Sequence, residues 1–367
     1  MKKKVFIITG EPSGDLLAYK VFQNINFEYI EACGILGEKL QNLNIKKIFD
    51  NSEITFFGVK DVLLNIFYIK KKINQTVDFI EEFNPDIVFS VDCPDFVFRV
   101  IEKIKKNKKI NPKFFHYVAP TIWAWRESRA HKIKKLIDKV YLLFDFEKKI
   151  FDRYKINNLF VGHPFFENLN YKSDILKNDK LISLCPGSRL SELNKFLPLF
   201  EKLINNLGSQ FNFHIGITNK HYEYVKNFFK NNTNNITINF DNDLKNEYYQ
   251  KSIITVAKSG TITLDLCKSQ SALITIYKFG FINYLLLKPF IKAKFANIIN
   301  IMANRLIIPE LLQNDCTEKK ILNKINFYLN DKSARNKMIN DYNQILNRIS
   351  NKNTSKKIAL DLVENLK

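Results

Sequence analysis

Residues 181–200, LISLCPGSRLSELNKFLPLF, change their period halfway along. Leu181 to Cys185 is a short, nearly continuous apolar run, as expected of a strand covered on both faces. Pro186-Gly187-Ser188-Arg189 interrupts it with turn residues, and from about Ser191 apolar residues recur with helical spacing. Buried strand, tight turn and helix form the repeating unit of a parallel sheet with crossover helices. The same succession runs through the chain. Strand-like runs occur at KVFII (4–8), IEACGIL (30–36), DIVFSV (86–91), KFFHYV (113–118), KVYLLF (139–144) and NNLFVG (157–162). They resume at KLISLC (180–185), FNFHIGI (211–217), NITINF (235–240), SIITVA (252–257) and ALITIY (272–277). Helical patterns lie between, among them DLLAYKVFQNI (15–25), TVDFIEEF (76–83), SRAHKIKKLI (128–137) and TLDLCKS (263–269).

A chain of 367 residues exceeds what one hydrophobic core usually holds. The polar stretch HPFFENLNYKSDILKNDK (163–180) separates the two series of strands, which places a boundary near residue 168. The expected fold class is α/β, with two Rossmann-like domains facing one another across a cleft, 1–168 and 169–345. In such sheets ligands sit beyond the carboxyl ends of the strands. From about Lys332 the sequence is helical and lysine-rich, and residues 346–367 are expected as a terminal helix packing back on the N-terminal domain.

Five scattered cysteines without a C-x-x-C pair argue against a disulfide framework or a zinc site, and point to a reducing, cytosolic compartment. The opening Lys-Lys-Lys is followed by only four apolar residues and then a polar loop with Glu11 and Asp15, unlike a signal peptide. No apolar run reaches the roughly 18 residues that span a bilayer. The formal charge of +20 suits an anionic partner or surface, although coding bias toward Lys, Asn and Ile accounts for it equally well. It does not by itself indicate nucleic acid: an RNP-like aromatic motif, Arg-rich tracts and a basic helix repeat are all missing.

Several loops carry candidate chemistry. In PGSR, Gly187 lets backbone approach a ligand, Ser188 and the first helical amides point at it, and Arg189 offers a cationic fork to phosphate oxygens. An ordinary strand-to-helix turn with a surface arginine reads the same tetrapeptide as well. AKSGTITLDL (257–266) repeats the arrangement: Ser259, Gly260 and Thr261 offer amides and hydroxyls, and Asp265 can accept from two ribose hydroxyls or simply favour its helix N-terminus. Two such loops in one domain suggest a nucleoside diphosphate site. In DIVFSVDCPDF (86–96), Asp92 and Asp95 follow a buried strand; they suit a general base whose pKa is raised by partial burial or by proximity to Asp95, a structural turn, or a metal pair. Trp123, Trp125, Arg126 and Arg129, in KFFHYVAPTIWAWRESRAHKIKK (113–135), suit a phosphorylated sugar or a lipid headgroup, and also a packed helix start. VLLNIFYIKKK (62–72) and FGFINYLLLKPFIKAKF (279–295) mix bulky apolar residues with lysines, as interfacial segments and buried helices with snorkelling lysines both do.

Taken in order, TGEPSGD (9–15), FFGVKDVL (56–63), PDIVFSVDCPDF (85–96), HYVAPTIWAWRESRAHKI (116–133), FVGHP (160–164), LCPGSR (184–189), AKSGTITLDL and IPELLQ (308–313) resemble the lipid-A-disaccharide synthase family nearly end to end. Trp-Ala-Trp-Arg combined with G-E-x-S-G-D carries most of the specificity. The resemblance implies an inverting glycosyltransferase of the two-Rossmann GT-B fold, without metal or cofactor. It would transfer 2,3-diacylglucosamine from its UDP derivative to the 6-hydroxyl of 2,3-diacylglucosamine 1-phosphate (lipid X), giving the β-1,6 lipid A disaccharide and UDP. By family position Asp92 is the base and Arg189 stabilises the leaving diphosphate. Gly187, Ser188, Ser259, Gly260, Thr261, Asp265, Asn300 and Gln313 would bind the donor, and Glu11, Ser13, Asp95, Trp123, Trp125, Arg126 and Arg129 the acceptor. Gly10 and Gly14 would shape the first loop and Asp15 favour its helix start. The implied location is the cytoplasmic face of a Gram-negative inner membrane, held to its anionic surface, and a homodimer is compatible. The alternative is another GT-B UDP-sugar transferase or UDP-GlcNAc epimerase with a soluble substrate. Two departures stand out: Asp265 replaces the usual Glu, and residues 298–305, IINIMANR, lack the family's Pro and Gly.

Overall fold

A computed structural model describes residues 2–55, 65–122, 127–167, 176–278, 294–350 and 353–367. It divides into two compact units, Met1–Asn168 with Ile349–Lys367, and Leu169–Arg348.

In the first unit the order is β1 (Lys3–Thr9), α1 (Pro12–Phe22), β2 (Ile30–Leu36), α2 (Glu38–Gln41), β3 (Lys46–Asp50), α3 (Ile66–Phe83), β4 (Ile87–Val91), α4 (Pro94–Asn107), β5 (Lys113–Tyr117), α5 (Arg129–Leu136), β6 (Lys139–Leu142), α6 (Asp145–Arg153) and β7 (Asn158–Phe160). These strands form one sheet in the order β3-β2-β1-β4-β5-β6-β7, parallel at every pairing. Alternate residues of β1 feed opposite cores: Phe6 and Ile8 pack with α3 and α4 residues such as Ile80, Val97 and Ile101. Val5 and Ile7 pack on the other face with Val21 and Phe22 of α1. That strict alternation inside a fully buried strand is why its sequence reads as one continuous apolar run.

The second unit contains β8 (Asn178–Cys185), α7 (Leu190–Leu207), β9 (Asn212–Gly216), α8 (Tyr222–Phe228), β10 (Ile236–Asn239), α9 (Asn242–Lys251), β11 (Ser252–Lys258), α10 (Ile262–Lys268), β12 (Ala272–Tyr277), α11 (Ile298–Ala303), β13 (Glu310–Leu312), α12 (Glu318–Asn330) and most of α13 (Lys332–Ile349). Its sheet order, β10-β9-β8-β11-β12-β13, follows the same winding. Both sheets therefore reverse direction once, between β1 and β4 and between β8 and β11, and the crevice beyond the carboxyl ends at that reversal is where such sheets bind ligands. The last helix, α14 (Thr354–Leu366), belongs to the first unit. Ile358, Ala359 and Leu362 join the core beneath α1, while Asp361 pairs with Lys139 and accepts a hydrogen bond from the Tyr141 hydroxyl at 2.7 Å.

Asp15, an acidic residue in the first turn of α1, does more than favour its own helix. It is buried and accepts from the amides of Gly37 at 2.7 Å, Lys39 at 2.7 Å and Leu40 at 3.4 Å, so it caps α2 across the sheet edge. Asp15→Asn turns one acceptor oxygen into a donor facing those amides. The expected loss is about 2 kcal/mol or more, read as a lower denaturant midpoint at unchanged slope.

Candidate active site

The switch point of the first sheet gathers the β1–α1 and β4–α4 loops. Gly10 lies so close to Cys93 that an added Cβ would collide with the Cys93 Cβ and come within 2.9 Å of its sulfur. Gly10 thus serves close approach rather than turn shape, and Gly14 has ordinary room against Val91. The chain leaves β4 through Asp92 and Cys93 with φ of +56° and +52°, and leaves the neighbouring β5 through Val118 with φ of +71°. Left-handed backbone costs a non-glycine residue about 1–2 kcal/mol, and a β-branched residue more. Three such residues at adjacent strand ends are the kind of stored strain that clusters where side chains must be aimed. The Asp92 amide donates to the Tyr117 carbonyl at 3.0 Å, tying the two strand ends together.

Asp92 itself is half-buried. Burial pushes its carboxyl above the ordinary range, with a smaller opposing pull from the Cys93 amide. Asp95 contributes nothing to that shift: it turns outward and pairs with Arg129 at 2.6 Å, its side chain 71% exposed. Of the two causes expected for a raised Asp92, burial and proximity to Asp95, burial is the one that acts. Cys93 is pushed up to about 12, by burial first and then by the charges of Asp92, Glu11 and Asp95, so the loop is acidic and its thiol is protonated. Glu11 sits directly before α1 without capping it, and Ser13 is exposed on the first turn. His116 is fully buried, its Nδ1 2.8 Å from the Ser90 hydroxyl, and burial pushes its pKa down to about 4, keeping it neutral. Trp123, Trp125 and Arg126 lie outside the described residues, as do the segments 56–64 and 279–293. The described part of VLLNIFYIKKK (62–72) opens α3, with Phe67 85% exposed and Ile69 and Lys72 buried.

In the second sheet the β8–α7 and β11–α10 loops meet at the reversal point. Gly187 has φ of +111°, and the space its Cβ would need is taken by the carboxylate of Glu192. That carboxylate accepts from the amides of Ser188 at 3.0 Å and Arg189 at 3.3 Å. The helix-start amides assigned to a phosphate are thus partly used by the chain itself, in the manner of a capping box. Ser259 is used likewise: its amide donates to the Ile276 carbonyl and its hydroxyl to the Ala296 carbonyl at 3.0 Å. Gly260 and Thr261 are exposed, and no described hydrogen bond uses their amides, nor those of Leu190 and Ser191. Asp265 is half-buried and pushed up by burial, against the weaker pull of Lys268 and Lys245.

Asn300 proves to be a structural residue. Its amide nitrogen donates to the Ile308 carbonyl and to Glu310, both at 2.7 Å, while its oxygen accepts from the amides of Ile307 and Ile308. Every polar atom of this buried side chain is used inside the fold, tying α11 to the segment that leads into β13. Gln313, with φ of +50°, follows β13 at the ligand-side edge. The sequence places Glu192 in the first turn of its helix, whereas Lys258 and Glu310 do not stand out in it. A Glu three residues into a helix was the available signal for Glu192; Lys258 and Glu310 had none, because their partners are distant in sequence.

Among the described residues no group of three His, Cys, Asp or Glu could hold a metal ion, and no helix is long and apolar enough to cross a membrane. All five cysteines are free thiols. A groove of about 780 Å³ lined by Lys4, Ile30, Lys46 and Phe83 lies at the opposite, amino-terminal ends of the strands, away from this chemistry.

The family model described as lipid-A-disaccharide synthetase matches residues 5–362. The lipid-A-disaccharide synthase of Rhodospirillum centenum is 30% identical over 360 residues, covering 93% of this chain and 88% of its own length. That of Rickettsia bellii is 31% identical over 362 residues, covering 95% and 94%. Among solved structures, the UDP-GlcNAc 2-epimerase of Neisseria meningitidis bound to UDP-GlcNAc superposes with a TM-score of 0.64 at 13% identity, covering 99% of this chain and all of the other, a likeness of GT-B fold alone. With the family pattern spanning both sheets and their switch-point loops, the chain belongs to the lipid-A-disaccharide synthases and is a glycosyltransferase.

Proposed function

We propose that the chain joins two acylated glucosamines: the 2,3-diacylglucosaminyl group of a UDP donor is transferred, with inversion, to the 6-hydroxyl of 2,3-diacylglucosamine 1-phosphate. The observation that carries this reading is Asp92, a carboxylate raised by burial and aimed by a left-handed backbone at a strand's carboxyl end. Ionised, it takes the proton of the acceptor hydroxyl as that oxygen attacks the anomeric carbon. As the bond to UDP breaks, negative charge grows on the diphosphate, and Arg189 with the amides of Gly260 and Thr261 supplies fixed positive charge and donors there. Asp265 takes the ribose hydroxyls. Glu11, Ser13, Arg129 and Asp95 line the acceptor's approach. Both substrates are anionic amphiphiles, so a basic surface with exposed Phe67 and Ile66 beside Lys70 suits collection from the inner face of an anionic bilayer.

The purified full chain, given the UDP-diacylglucosamine donor and the diacylglucosamine phosphate acceptor, is expected to release UDP and form the disaccharide, identified by mass spectrometry. Turnover of UDP-GlcNAc with no disaccharide from the acylated pair would establish an epimerase or a soluble-acceptor transferase instead.

A further inference from the structure

The Glu192 carboxylate is an anion built into a loop whose proposed ligand is another anion. One oxygen holds the Ser188 and Arg189 amides, and the other lies 2.9 Å from the ammonium of Lys258, with the two side chains only 14% and 18% exposed. Burial opposes the charged form of Glu192, but Lys258 and the two amides outweigh it and hold the carboxyl below its usual range. The carboxylate has no room to be exchanged for a phosphate without loss, since it fills the space beside Gly187 and closes the first turn of α7. Lys258 in turn ends β11 and reaches over the next loop: its ammonium lies 5.2 Å from the Tyr277 ring centre and 3.6 Å from the Cβ position of Gly260. The pair therefore ties the PGSR loop to the SGT loop, each on its own side of the switch point.

We infer that Lys258 is a positioning residue for the donor: it cancels the charge of Glu192 beside the diphosphate and locks the two phosphate loops together, without itself being a phosphate ligand. This rests on the reading of those loops as the nucleoside diphosphate site. Without Lys258, a bound diphosphate meets an uncompensated carboxylate several ångström away. At the effective dielectric of a protein surface that repulsion corresponds to an affinity loss on the order of tenfold.

UDP binding by calorimetry and steady-state kinetics on the full chain test this. Lys258→Met is expected to weaken UDP binding and raise the donor KM about tenfold, with kcat within about threefold. The double variant Glu192→Gln/Lys258→Met, in which the amides keep an uncharged acceptor, is expected to regain most of the lost affinity, a coupling a merely structural lysine would not show. A double variant as weak as Lys258→Met would mean that Lys258 touches the phosphates directly, and a Lys258→Met chain that binds UDP normally would remove its role; either overturns the inference. A native chain that fails to bind UDP would overturn the donor site itself. Circular dichroism and thermal unfolding establish that each variant is folded, and Lys258→Gln takes the place of Lys258→Met should the latter unfold.

Discussion

Asp92→Asn is expected to reduce kcat by about a thousandfold, within the range a positioned general base supplies, while leaving the fold at least as stable as before. The two halves of that expectation have one cause. Burial raises the Asp92 carboxyl above its ordinary range, so the folded chain binds this proton more tightly than the unfolded chain does. Its contribution to stability is then greatest at low pH and declines as pH rises through the folded-state pKa. At neutral pH the ionised group is a cost to the fold, which Asn removes while preserving the size of the side chain. The left-handed backbone at position 92 also tolerates Asn better than most residues. As a base Asp92 works only when ionised, so the acidic limb of kcat/KM should fall above the usual carboxylate range and vanish in the variant. Near-normal turnover in Asp92→Asn, or an unshifted acidic limb in the native enzyme, would remove Asp92 from the role. A coincident fall in unfolding temperature would mean that the carboxylate is structural.

The fold was legible because both sheets are wound from strands buried on two faces, and such strands advertise themselves as unbroken apolar runs. The two strands that escaped notice lack that signature. KKIFD, β3, is an edge strand whose residues are half-exposed or exposed, and lysines are common on such edges because they discourage further pairing. Glu-Leu-Leu, β13, is three residues long and exists as a strand only through its pairing with β12. The candidate residues at strand ends were legible for a related reason: parallel sheets deliver ligand-binding loops at one end, so position after a strand is already information. What sequence did not show was which polar groups were already spoken for. Asp15 and Ser259 satisfy backbone groups more than twenty residues away, and Asn300 groups up to ten residues away. Only the three-dimensional structure separates such internal clients from side chains left for a substrate.

Arg189→Ala is expected to lower kcat by about a hundredfold or more, the loss typical of one charge-stabilising donor, with the loop around it intact. The backbone of Arg189 keeps its own ties when the side chain is truncated: its amide is held by Glu192, and its carbonyl accepts from Glu192 and Leu193. The residue itself is exposed, so truncating its side chain exposes no core. Charge on the diphosphate grows as the glycosidic bond to UDP breaks, so the guanidinium stabilises the transition state more than the bound donor. The loss should therefore appear mainly in kcat, with a smaller rise in donor KM, the opposite split from that expected at Lys258. Arg189→Lys should recover only part of the rate, because a single ammonium cannot engage two phosphate oxygens in the fixed fork of a guanidinium. If Arg189→Ala changes KM alone, Arg189 binds the donor without assisting departure of UDP; if it changes neither, the diphosphate lies elsewhere in the second unit.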